Sequence, residues 1–131
     1  MRTLIVEDDF TSRLLIQEFL KSYGPCHIAT NGREAIEAVC LALDNNEPYD
    51  LICLDVMMPG MDGQEALREI RFQEEKRGVQ YADGAKIVMT TALDDTKSVL
   101  SAFYELCDSY LTKPLRKETL LDELRKLKLI Q

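Results

Sequence analysis

Residues 51–63 read "LICLDVMMPGMDG". Four apolar residues, Leu51 to Leu54, run into an aspartate, and the chain then breaks at Pro59-Gly60. An apolar run this short, bounded by turn residues, has the pattern of a strand buried on both faces. Asp55 stands where that strand ends. A carboxylate at such a place can form a turn, ligate a metal or act as a nucleophile.

The same rhythm extends in both directions. Short apolar runs recur at residues 4–6, 27–29, 87–89 and 110–111. Between the runs lie stretches of helical period. Leu15, Phe19 and Leu20 share a face in the first, and Ala35, Ile36, Val39, Cys40 and Leu43 form a stripe in the second. Ala66, Leu67 and Ile70 mark a third, Val99, Leu100, Phe103 and Leu106 a fourth, and Leu120, Leu121, Leu124 and Leu127 a fifth. These stripes read as core-facing surfaces. Asn31 with Glu34 three residues on has the spacing of a helix-opening capping box.

Five strand–helix units in 131 residues imply an α/β fold, a parallel sheet with helices on both faces. Right-handed crossovers then bring the carboxyl ends of all strands to one edge, where ligands gather in open sheets. Residues 74–86, "EEKRGVQYADGAK", break the compact rhythm and are expected to be a solvated extension of the third helix plus a loop. With no repeat, low-complexity tract or linker, residues 1–131 are expected to form a single domain.

Composition narrows the function classes. The net charge of −7 disfavours a grip on nucleic acid or on an anionic membrane, both of which require basic faces. It suits binding of cations or basic partners. Four cysteines without a CxxC pair, and a single histidine, argue against zinc and for reduced thiols in a cytosolic protein. Glu7, Asp8 and Asp9 interrupt the first apolar run, so no signal peptide is expected. No apolar run reaches the ~18 residues of a membrane span.

The strand ends carry the chemistry. Glu7, Asp8 and Asp9 follow the first run, Asp55 the third, Thr90 and Thr91 the fourth, and Thr112, Lys113 and Pro114 the fifth. Two like charges ~4 Å apart repel by about 4 kcal/mol at an effective dielectric near 20. A hard divalent cation removes that cost, and magnesium needs only one or two carboxylates while keeping its waters. Asp8, Asp9 and Asp55 therefore suggest an open magnesium site. Lys113 offers a positive charge, and Thr91 a hydroxyl, to a phosphoryl oxygen. With Asp55 central, the set reads as phosphoryl transfer onto a carboxylate.

"LIVEDD", "DVMMPGMDG", "MTTA" and "YLTKP" occur in the order and spacing of the receiver domain of two-component response regulators, which this chain resembles over essentially its whole length. The resemblance implies a flavodoxin-like sandwich with strand order 2-1-3-4-5. It implies that Asp55 is the phosphoacceptor, that Asp9 ligates magnesium directly and Asp8 largely through water, and that Met57 gives the ion a backbone carbonyl. Lys113 would pair with the phosphoryl group, and its bond to Pro114 would be cis. Thr91 would move toward the phosphoryl group while the Tyr110 ring turns inward, changing the face formed by the fourth helix, fifth strand and fifth helix.

The implied function is a stand-alone cytoplasmic response regulator, not an enzyme acting on external substrates. It would take its phosphoryl group from a histidine kinase or a histidine phosphotransfer protein. Output would pass to a downstream protein through the switched face, without direct DNA or membrane binding, from a monomer or a weak activation-dependent dimer. Met57 and Leu93 stand two places beyond Asp55 and Thr91, and neither can orient an attacking water, so self-hydrolysis is expected to be slow. Three other readings compete. A haloacid-dehalogenase-type phosphatase needs a second acid where Met57 stands. A degenerate receiver, used only for binding, would lack some site residues. A flavodoxin-like cofactor carrier needs a phosphate loop after the first strand, where the acids sit instead.

Overall fold

In the computed structural model, which describes residues 1–58, 60–92 and 106–131, the strands are β1 (Thr3–Val6), β2 (Cys26–Ala29), β3 (Leu51–Asp55), β4 (Lys86–Thr91) and β5 (Ser109–Thr112). The helices are α1 (Phe10–Leu20), α2 (Gly32–Asp44), α3 (Gly63–Lys76) and α4 (Lys117–Lys126). All strand pairs are parallel, as the sequence pattern predicts, and their order β2-β1-β3-β4-β5 is the one the resemblance implies. The expected fourth helical stripe, apart from Leu106, lies outside the described residues, as do Leu93 and Pro59.

Two apolar layers sandwich the sheet. Leu4, Val6, Ile52, Leu54, Ile87 and Met89 pack on one face with α2 and α3 residues such as Val39, Leu67 and Ile70. Ile5, Cys53, Val88 and Leu111 pack on the other with Ile16 and Leu20 of α1 and Leu120 and Leu124 of α4. The two-residue period of a strand produces this division. Burial of one such aliphatic side chain contributes about 1.5–3 kcal/mol.

The helices start where short polar side chains satisfy their free N–H groups. Asp9, Asn31 and Asp62 accept from the backbone N–H of Ser12, Glu34 and Glu65, each at 2.9 Å. Glu34 reaches back to the Thr30 N–H at 2.7 Å, so the box closes one residue before the cap itself. The break after Asp55 also has a steric reason. A Cβ on Gly63 would lie 2.3 Å from the Asp55 carbonyl oxygen, so α3 starts against the end of β3 only because residue 63 has no side chain. Gly60, at φ +79°, supplies the left-handed turn before it.

Two expectations change. In α1, Ile16 and Leu20 are buried while Leu15 is exposed. Residues 74–86 are not simply solvated, because Glu74 is only 3% exposed. It lies three positions after Arg71 on the inward side of α3, and the guanidinium bonds its Oε1 at 2.9 Å. Its other oxygen accepts the Ala85 N–H at 2.8 Å. Arg71 also donates to the carbonyls of Leu106 and Ala85 and to Asp108, and it stacks 4.7 Å over the Tyr81 ring. Counting apolar residues misses such a face, since its inward groups are charged and mutually compensated.

Candidate functional site

The site lies at the carboxyl edge, where the strand order reverses between β1 and β3. Val6 pairs with Leu54, so Glu7 is level with Asp55. The two-residue period carries Ile5 to Glu7, Cys53 to Asp55 and Leu111 to Lys113, all toward one face. Lys113 Nζ lies 2.7 Å from Glu7 Oε1 and 3.4 Å from Asp55 Oδ1. Glu7 and Asp55 are 1% and 3% exposed.

Burial comes first among the causes that push the Asp55 carboxyl up to about 7, with the hydrogen bond and the charge of Glu7 behind it. Lys113 opposes the rise without cancelling it. Burial also works against the Glu7 carboxylate, but the hydrogen bond with Asp55, and the bond and charge of Lys113, hold Glu7 below its usual range. Asp55 therefore keeps the proton of this acid pair. The Lys113 ammonium is held above its ordinary value by Glu7 and Asp55 despite burial.

Carboxylate oxygens of Glu7, Asp8 and Asp55 all lie within 4.8 Å of one another, the acidic cluster found among the described residues. Asp9, expected to be a direct ligand, is turned to α1 instead. Its carboxylate caps the helix, and hydrogen bonds from the Ser12 N–H and hydroxyl are the chief cause of its lowered pKa. Glu7, not Asp9, joins Asp8 and Asp55 in the cluster. The reason is register, since β1 ends at Val6 and the next residue on the Ile5 side of the sheet is Glu7. Two sequence signals point the same way: Ser12 three places after Asp9 is a cap spacing, and Glu7 keeps the strand period.

The other expected residues are placed as follows. The Met57 N–H donates to Asp55 Oδ1 at 3.3 Å, and the Met57 side chain is exposed. Thr91 is buried, with its hydroxyl donating to the Ala92 carbonyl at 3.3 Å. It follows Ile87 and Met89 on the opposite face from Asp55, so the acid–lysine cluster does not include it. Tyr110 lies on β5 with its ring exposed, and the Lys113–Pro114 peptide is cis.

A doubly wound sheet with buried acids and a lysine at the switch point defines an α/β domain with its charged side chains gathered at one edge. The chain belongs to the response regulator receiver domain family, whose model matches residues 3–125. It is 35% identical over 120 residues to the sensor histidine kinase GacS of Pseudomonas protegens, covering 91% of this chain and 12% of that protein. It is 35% identical over 125 residues to the regulatory protein VanRB of Enterococcus faecalis, covering 92% of this chain and 49% of that one. The chain thus spans about half or less of these relatives. Among solved structures it resembles the receiver domain of the histidine kinase CKI1 from Arabidopsis thaliana complexed with Mg2+. That match has TM-score 0.83 and 31% identity, and covers 96% of this chain and 90% of that one. No described helix is long and apolar enough to cross a membrane.

Proposed function

We propose that this chain, as a single receiver domain over residues 1–131, accepts a phosphoryl group on Asp55 from a phosphohistidine of a histidine kinase or phosphotransfer protein. One observation carries the reading: Asp55 lies buried between an acid partner and a lysine at the reactive edge of a receiver fold. A carboxylate oxygen of Asp55 attacks phosphorus, the P–N bond breaks, and the imidazole leaves with its electron pair and takes up a proton.

The oxygen donors fit magnesium. Three acids converge, and burial, with the hydrogen bond and charge of Glu7 behind it, works against ionisation of Asp55. Asp8 and Asp55 would hold the ion with the Met57 carbonyl, and Glu7 would hold its waters. When bound, magnesium supplies positive charge for the transferring phosphoryl oxygens. Lys113 shifts from Asp55 to a phosphoryl oxygen and keeps its bond to Glu7. Phe10 and Leu14 of α1, exposed beside this edge, suit docking of an apolar donor helix.

Phosphorylation brings about −1.5 to −2 charges. Thr91 then turns its hydroxyl from Ala92 to the phosphoryl group, and the exposed Tyr110 ring packs inward. The surface around β5 and α4 changes for a downstream protein. Met57 leaves hydrolysis slow. In this reading the chain works in the cytoplasm as a monomer or a weak activation-dependent dimer, and without direct DNA contact. Acetyl phosphate with magnesium should add about 80 Da, the mass of one phosphoryl group, to the intact protein, and peptide mapping should find it at Asp55. An adduct on another residue, or none, overturns the proposal.

A further inference from the structure

We infer that Arg13 is a positioning residue for the metal-binding acids, a role that rests on the proposed magnesium site. Glu7 and Asp8 contribute two of the three clustered carboxylates from a three-residue turn between β1 and α1. The turn is tied at its start by the Glu7 N–H, which donates to the Ala29 carbonyl at 3.0 Å. It is tied at its end by the Asp9 N–H, which donates to Glu7 Oε2 at 3.3 Å, and by the Asp9 cap on Ser12. Arg13 closes the middle. One of its terminal nitrogens, Nη1, donates to the Glu7 carbonyl at 3.2 Å and to the Asp8 carbonyl at 3.4 Å. The guanidinium lies 5.5 Å over the Phe10 ring, which limits where it can swing.

Both carbonyls of the acidic turn are thereby drawn to one donor. A carbonyl held by a donor restrains the ψ torsion of its own residue and so narrows the Cα–Cβ directions open to it, and the grip on two successive carbonyls restricts the positions the Glu7 and Asp8 carboxylates can sample. Asp8 is exposed, and a free turn there would sample many carboxylate positions. Holding them in advance lowers the ordering cost of binding a cation.

The role has an electrostatic counterpart of opposite sign. A guanidinium next to a cation site repels the cation, so charge alone makes Arg13 unfavourable for magnesium. Positioning and repulsion therefore predict opposite results when the charge is removed. The contacts favour positioning: the guanidinium donates to the two backbone carbonyls and lies over the Phe10 ring, while the clustered donors are side-chain carboxylate oxygens.

Magnesium binding to the full chain is measured by calorimetry at pH 8 for wild type, R13Q and R13K, with hydrogen exchange of the metal-free proteins alongside. R13Q should weaken magnesium about fivefold, the loss expected for one hydrogen bond of ordinary net strength. R13K, which keeps a charged donor on a long stem where R13Q keeps only a shorter neutral amide, should fall between R13Q and wild type. Exchange should rise in the turn at residues 7–9 in R13Q and stay unchanged in β3 and β4. Equal or tighter magnesium binding by R13Q, or unchanged exchange in that turn, overturns the inference and leaves the metal site standing. A wild-type protein that binds no magnesium at millimolar concentration overturns both.

Discussion

Replacing Asp55 by asparagine should stabilise the metal-free protein, and the gain should grow with pH. Burial and Glu7 raise the folded-state carboxyl from an unfolded value of 3.8 to about 7. A group raised in this way favours folding at low pH, and its contribution is lost as pH climbs through that window. Each pH unit inside the window costs about 1.36 kcal/mol. Between pH 5.5 and 8 the wild type should therefore lose about 2 kcal/mol at this site, with the loss complete just above pH 7. Glu7 is shifted downward, so its own window lies below the ordinary 4.5 of a glutamate and outside this range. The asparagine amide has the shape of the protonated carboxyl and donates to Glu7 at every pH. The two proteins should be nearly equal at pH 5.5, with D55N ahead by about 2 kcal/mol at pH 8. For a chain of 131 residues that is a rise of roughly 7 °C in melting temperature. Thermal and urea unfolding in EDTA at both pH values measure it. A difference that stays flat with pH, or a D55N protein less stable than wild type at pH 8, would refute the account of Asp55 as the strained member of the pair.

Other substitutions test the remaining parts. Magnesium must displace the Asp55 proton, so its affinity should be about tenfold weaker at pH 6 than at pH 8 by calorimetry, and a pH-independent affinity would contradict the shared-proton picture. Arg71→Met leaves buried Glu74 without its cation and Asp108 with only the more distant Lys86, 3.9 Å away, and should cost about 3–5 kcal/mol in urea unfolding, with part recovered in R71M/E74Q. Gly63→Ala forces a Cβ to within 2.3 Å of the Asp55 carbonyl oxygen. It should lower stability by several kcal/mol, as large steric conflicts do, and a neutral effect would mean that α3 starts elsewhere. Met57→Asn places an amide beside Asp55 and should shorten the phosphoryl lifetime, measured by decay of labelled protein; an unchanged or longer lifetime counts against Met57 as the cause of slow hydrolysis.

The sequence by itself determined the layered fold, because that depends on periodicity. Apolar runs such as residues 51–54 cannot be satisfied except inside a sheet covered on both faces, and the stripes of α2, α3 and α4 supply the cover. It also brought Asp55, Asp8 and Lys113 to one edge, since every parallel strand ends there. Tertiary structure alone decided which neighbour of Asp8 joins the cluster. Glu7 and Asp9 are both strand-end acids in the sequence. Register between β1 and β3 sets Glu7 against Asp55, while the start of α1 claims Asp9 as its cap. It likewise decided that the Thr91 hydroxyl turns to the Ala92 carbonyl and that Arg71 and Glu74 are buried, although charged residues at such spacing read as solvated. Local patterns fix what a residue type favours; which partner meets a charge is settled between segments distant in the chain, by contacts that exist only once the sheet has formed.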